Sequence, residues 1–150
     1  MSEQVPVFIK KENMPTAKEW AEAIKSEGFG LELDISWDGR EEDGSYGYRP
    51  CRYYDVKDVG FELDLIMRDE NFDYFQEYEE LDKNIKKFDL AVCFGVYTEE
   101  DAMASAVAGT VLMKIAGEGV CFDLDEPISL ASALVLCREV DKEMKLKRLA

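Results

Sequence analysis

Cys51 is the one thiol of this chain set between positive charges, in Arg49-Pro50-Cys51-Arg52. Such a setting lowers a thiol's pKa and favours the nucleophilic thiolate. A nucleophilic thiol usually works beside a base, and the chain contains no histidine. That removes Ser-His-Asp and Cys-His pairs, imidazole metal ligands and imidazole acid-base chemistry together. Carboxylates are plentiful, with 33 Asp and Glu. A glycosidase pair, however, is defined by separation in space, and spacing along the chain singles out no two acids. Glu41-Glu42-Asp43 and Asp123-Leu124-Asp125-Glu126 lack the alternating acids, central glycine and twelfth-position glutamate of a calcium loop. They read as loop solvation and a helix cap. The glycines of Gly28-Phe29-Gly30 and Gly117-Glu118-Gly119 follow predicted helices, where glycine acts as a stop, whereas a phosphate loop precedes its helix. Cys93, Cys121 and Cys137 show no C-x-x-C spacing, so no zinc site is expected. No cofactor is implied.

Charge speaks more clearly than any catalytic motif. The formal net charge is −15. Between Glu32 and Asp82 there are 17 Asp and Glu against 5 Lys and Arg, a net of −12. A field of that sign repels nucleic acid and anionic membranes; it serves equally as a solubility surface or as one that speeds association with basic partners. The same stretch carries Trp37, Tyr46, Tyr48, Tyr53, Tyr54, Tyr74 and Tyr78. Aromatics with polar tips are favoured interface anchors, and surrounding carboxylates attract Lys and Arg. The candidate partner-binding residues are therefore Trp37, Tyr46 and Tyr48 as anchors, with Glu41, Glu42, Asp43, Asp73, Glu77 and Glu80 as the acidic rim.

The elements that must position these residues follow from periodicity and caps. Asp89 to Tyr97 reads as a largely buried strand. Thr98-Glu99-Glu100-Asp101 then forms a predicted capping box, with Asp101 reaching back, ahead of an apolar helix from Ala102 to Ala116. The small residues of its first half let another backbone come close, and its polar interruptions rule out a membrane span. Thr16 to Glu19 is a second capping box, opening a helix that buries Trp20 and Ile24. Val5 to Ile9, Gly30 to Ser36 and Gly119 to Leu124 read as strands. Tyr46 to Val56 and Phe61 to Met67 suggest a hairpin turning at Lys57 to Gly60. Asp69 to Lys87 reads as one helix with the stripe Tyr74, Tyr78, Leu81 and Ile85, and Asp125-Glu126-Pro127 should open the last helix. The basic tail from Lys142 to Arg148 complements that helix's dipole. The expected architecture is a single α+β domain over residues 1–150, with a mixed or antiparallel sheet and helices packed mainly on one face.

Trp20 to Asp34, Gly47-Tyr48-Arg49-Pro50-Cys51, Gly60-Phe61-Glu62 and Phe94-Gly95-Val96-Tyr97-Thr98-Glu99-Glu100 carry a resemblance. They resemble the recurring segments of a family of small, acidic bacterial cytosolic proteins of largely unassigned function. That resemblance implies a cytoplasmic location and an immunity-type role, in which the protein neutralises a basic toxin domain such as a nuclease. It assigns no catalytic residue. Two other readings stand beside it. One is a small enzyme or ligand-binding domain using carboxylates or Cys51 in a cleft. The other is a structural subunit of a larger assembly, which would expose a large apolar patch.

Overall fold

The computed structural model describes residues 3–36, 47–123 and 126–148. The chain folds as β1 (Glu3–Ile9), α1 (Ala17–Ser26), β2 (Leu31–Leu33), β3 (Gly47–Tyr53), β4 (Val56–Met67), α2 (Phe72–Glu79), β5 (Leu90–Val96), α3 (Glu99–Ala116), β6 (Val120–Asp123), β7 (Glu126–Ile128) and α4 (Leu130–Arg148). The seven strands form one sheet in the order β2-β3-β4-β5-β1-β6-β7, antiparallel throughout. Helices α1, α3 and α4 pack on the inner side of this sheet, and α2 lies alone on the outer side. This is an α+β domain with its helices mainly on one face.

β5 is buried along its whole length because both sides of the sheet are covered at that point. Leu90, Val92, Phe94 and Val96 point inward, while Ala91 and Cys93 point out toward α2. The small first half of α3 settles onto this strand and its neighbour β1. A Cβ at Gly109 would stand 3.1 Å from Val7 Cγ2 and 3.5 Å from the Phe94 ring. The indole N–H of Trp20 donates to the Ala108 carbonyl at 2.9 Å, which ties α1 to α3. The Thr16 capping box forms in full.

The second cap differs from expectation in an informative way. Thr98 Oγ1 accepts from the Asp101 amide at 3.0 Å, but the Asp101 carboxylate does not turn back onto Thr98. Its Oδ1 accepts from the Gly60 N–H at 3.1 Å and its Oδ2 from the Tyr97 N–H at 3.4 Å. The β4–β5 register ends at Glu62 opposite Gly95, so Gly60 and Tyr97 are the residues where the ladder would continue. A single buried carboxylate at the positive end of α3 closes that ladder instead. A second carboxylate fastens α4. Asp141 accepts from the Gly30 N–H at 2.9 Å, the Tyr53 hydroxyl at 3.0 Å and the Tyr54 hydroxyl at 2.5 Å.

Several boundaries depart from the sequence reading. The β3–β4 hairpin turns at Tyr54-Asp55, with Tyr54 at φ 52°, because Tyr53 already pairs with Val56. The predicted turn at Lys57 to Gly60 is a bulge, in which Asp58 at φ 62° takes up one extra residue between Val56 and Val59. β2 stops at Leu33 because Asp34 bends the chain by accepting from the Ser36 amide at 3.0 Å. The single helix expected from Asp69 to Lys87 is two pieces, α2 and a 3₁₀ turn at Lys83–Lys87. Asp82 separates them in an extended conformation and caps the second piece through the Asn84 amide at 2.8 Å. Phe75, off the predicted stripe, is fully buried, and Leu81, on it, is half exposed. Glu126 and Pro127 open no helix. They form the edge strand β7 against β6, where a proline costs no ladder bond on its solvent side. α4 begins only after Ser129, whose hydroxyl accepts from the Ser132 amide at 3.2 Å.

Replacing Asp101 by Ala leaves the Gly60 and Tyr97 amides without acceptors, each worth about 1–3 kcal/mol when buried. The Asp101→Ala protein should therefore lose about 2–4 kcal/mol in urea denaturation. Asp101→Asn, which keeps one acceptor oxygen, should lose clearly less. Equal losses would show that the carboxylate does not hold these strands.

Candidate protein-interaction face

α2 covers only part of the sheet's outer side. Phe75 meets Phe8 edge-on at 5.3 Å between centroids, and Tyr78 lies between Phe8 and Phe122 at 5.0 and 5.2 Å. Arg68 braces this layer. Its Nε donates to the Phe88 carbonyl at 2.8 Å, and its terminal nitrogens bind the Ile85 carbonyl and Glu79, each at 2.5 Å. Its guanidinium also lies 4.6 Å from the Phe75 ring centroid. Beyond α2, the outer side of β3, β4 and the end of β5 carries no helix.

Strand alternation sets what this open area presents. Phe61 and Leu63 point into the inner core, so Gly60, Glu62 and Asp64 point out, followed by Ile66 under α2. Tyr48 stands directly across from Glu62, and Gly95 lies across from Glu62 on the other flank. The Tyr48 ring folds over Gly60, where a Cβ would meet its hydroxyl at 2.5 Å. Glu62 leans over Gly95, where a Cβ would stand 3.3 Å from Glu62 Cβ. Tyr97 donates its hydroxyl to Glu62 Oε1 at 2.7 Å. Tyr48 and Tyr97 are nevertheless 49% and 56% exposed, and large aromatics left open to solvent mark interaction surfaces more than cores do. Burial raises the Tyr48 phenol above its ordinary pKa, helped by the charges of Asp101 and Asp58, and burial raises the Asp64 carboxyl.

The predicted site residues divide accordingly. Tyr48 belongs to the open area. Asp73 and Glu77 are exposed on α2 and Glu80 is exposed at its end, on the same side of the sheet. Trp37, Glu41, Glu42, Asp43 and Tyr46 lie outside the described residues. Glu62, Asp64 and Tyr97 were missed. The alternation in Phe61 to Met67 placed the two acids outward, but only strand pairing reveals that Tyr97 joins them.

Ion pairs occur on both sides of the sheet, with Arg68 to Glu79 on the outer side. On the inner side Lys114 pairs with Glu27, and Lys147 donates to Glu100 at 2.9 Å, so the basic tail is partly engaged within the fold. Asp64, Asp73, Glu77 and Glu80 make no ion pair among the described residues.

Concave sites offer different chemistry. A cavity of about 260 Å³ lies between α3, α4 and the inner side of β1 and β6. Its walls include Val5, Phe94, Ala106, Cys121 and Leu136 and hold no charged side chain. The Ser105 hydroxyl there already donates to the Ala102 carbonyl at 2.9 Å. No group of three or more His, Cys, Asp or Glu among the described residues is arranged to hold a metal. No described helix is long and apolar enough to cross a membrane.

Cys51 departs from its sequence-based expectation. Its thiol donates to the Arg49 carbonyl at 3.6 Å and is pushed up to about 12 by burial, with the charges of Asp101 and Asp34 adding to the shift. Arg52, adjacent in sequence, points to the other side of the strand. A thiol raised this far is neutral at pH 8, with roughly one molecule in ten thousand ionised. Iodoacetamide should therefore modify Cys51 in the native protein far more slowly than a free thiol at that pH. Modification at the ordinary thiol rate would contradict the burial.

No family model, no curated protein and no solved structure matches the chain.

Proposed function

We propose that the chain is a non-catalytic binding protein for a basic protein partner, most concretely an immunity-type inhibitor of a basic toxin domain. The observation that carries this reading is the outer side of the sheet, where exposed tyrosines share one surface with acids that make no ion pair among the described residues. A basic partner gains from such a surface in two ways. The long-range field raises the encounter rate, and desolvated tyrosines supply contact area once the partner is seated. The sequence resemblance to small acidic bacterial proteins points to the same role, and a reducing cytoplasm suits the free thiols of Cys51, Cys93, Cys121 and Cys137.

The cleft-enzyme reading gains less support, because the cavity between α3 and α4 is lined by no carboxylate and the half-buried Cys51 thiol is pushed up in pKa, away from the reactive thiolate. The assembly-subunit reading calls for a contiguous apolar patch. The exposed large apolar residues instead lie on several elements, with Ile35 after β2, Phe72 and Leu81 around α2, and Val135, Leu136 and Leu146 on α4.

The test is capture from a lysate of the source organism, with wild type beside the triple variant Asp73→Lys, Glu77→Lys, Glu80→Lys. Wild type should retain one stoichiometric basic protein at low salt and release it at high salt. The variant should associate about tenfold more slowly at low salt. A partner captured equally by both proteins, with unchanged salt dependence, would remove α2 from the surface and count against the proposal.

A further inference from the structure

We infer that Tyr48, Glu62 and Tyr97 form the seat for one arginine side chain of the basic partner; this rests on the reading of the outer face as the binding surface. The strand register puts Glu62 between the two tyrosines. Tyr48 is its direct neighbour on β3, and Tyr97 stands two residues beyond its partner Gly95 on β5. The Tyr97 hydroxyl occupies Oε1 at 2.7 Å and fixes the carboxylate in place, while Oε2 accepts no hydrogen bond from the described residues. The floor is made of glycine. Any side chain at position 60 would collide with the Tyr48 hydroxyl at 2.5 Å, and Glu62 Oε2 lies only 3.7 Å from where a Gly95 Cβ would be. The result is an oriented carboxylate flanked by two aromatic rings that remain half open to solvent.

That arrangement suits a guanidinium better than an ammonium. A guanidinium is planar, presents parallel N–H groups to a carboxylate and stacks on aromatic faces, whereas an ammonium is a compact and strongly hydrated charge. Two arginines of the outer side are placed away from the seat. Arg68 is engaged by Phe88, Ile85, Glu79 and Phe75, and Arg52 stands further along the outer side, across from Glu32 on β2. Asp64, the next outward residue on β4, adds negative charge on the α2 side. Charge complementarity therefore names the occupant.

The experiment titrates the full ¹⁵N-labelled chain with a capped Gly-Arg-Gly peptide and, separately, with capped Gly-Lys-Gly. The arginine peptide should shift the amides of Gly60, Glu62, Gly95 and Tyr97 saturably, and should bind about threefold more tightly than the lysine peptide. Glu62→Gln and Tyr48→Ala should each weaken it about fivefold, while Tyr48→Phe, which keeps the ring, should not. The spectrum of each variant reports its own folding. Shifts confined to Asp73, Glu77 and their neighbours would overturn the seat while leaving the face in place. Shifts on α1, α3 or α4 would overturn both. No saturable shift at the four amides, or equal binding of the two peptides, would overturn the arginine seat.

Discussion

One buried carboxylate joins the fold to its candidate surface. Asp101 begins the long helix α3 and binds the amides of Gly60 and Tyr97 at the point where β4 and β5 part. Gly60 carries the Tyr48 ring above it, and Tyr97 holds Glu62. The same group that anchors the core helix to the sheet thus fixes the backbone under the exposed tyrosines. A buried carboxylate is costly unless several donors meet it, and here two backbone amides and the positive end of a helix do so. The geometry on the solvent side is set from within the protein.

The two sides of the sheet have different jobs under this account. The inner side is closed by three helices, and Lys114 and Lys147 of two of them pair with Glu27 and Glu100. The outer side is sealed only where α2 lies over Phe8, Ala91 and Phe122. Arg68, the cation at that seal, is engaged in bracing it. Further along, Asp64, Asp73, Glu77 and Glu80 make no ion pair among the described residues, and Lys83, Lys86 and Lys87 lie exposed on the neighbouring 3₁₀ turn. Net charge by itself concerns solubility and association rates. Acids that share a surface with open tyrosines are what the partner reading rests on.

Much of this was legible in the sequence where the governing interactions are local. The β5–α3 unit and the Thr16 and Thr98 caps follow from apolar runs and side-chain-to-backbone bonds a few residues apart. The glycine stops at Gly28 and Gly117 do too, with φ 87° and 79°. Elements settled by distant partners were misread. Glu126-Pro127-Ile128 has the chemistry of a helix start, yet pairing with β6 makes it a strand. The stripe from Tyr74 to Ile85 is helical in spacing, yet Phe75 docks on Phe8 of β1 and the chain breaks at Asp82. The candidate site shows the same division. Tyr48, Asp73 and Glu77 could be chosen by type and neighbourhood, whereas the link between Glu62 and Tyr97 joins residues 35 apart and exists only through strand register. Cys51 looked activated by flanking arginines because sequence shows neighbours along the chain but not burial.

The most direct measurement is hydroxyl-radical footprinting of the chain with and without the basic partner proposed for it, reading oxidation side chain by side chain. Tyr48 and Tyr97 are about half exposed on the outer side, and Val135 and Leu146 are comparably exposed on α4. The partner should shield the two tyrosines and leave Val135 and Leu146 reacting as in the free protein. Shielding on α4 with undiminished oxidation of Tyr48 and Tyr97 would contradict it.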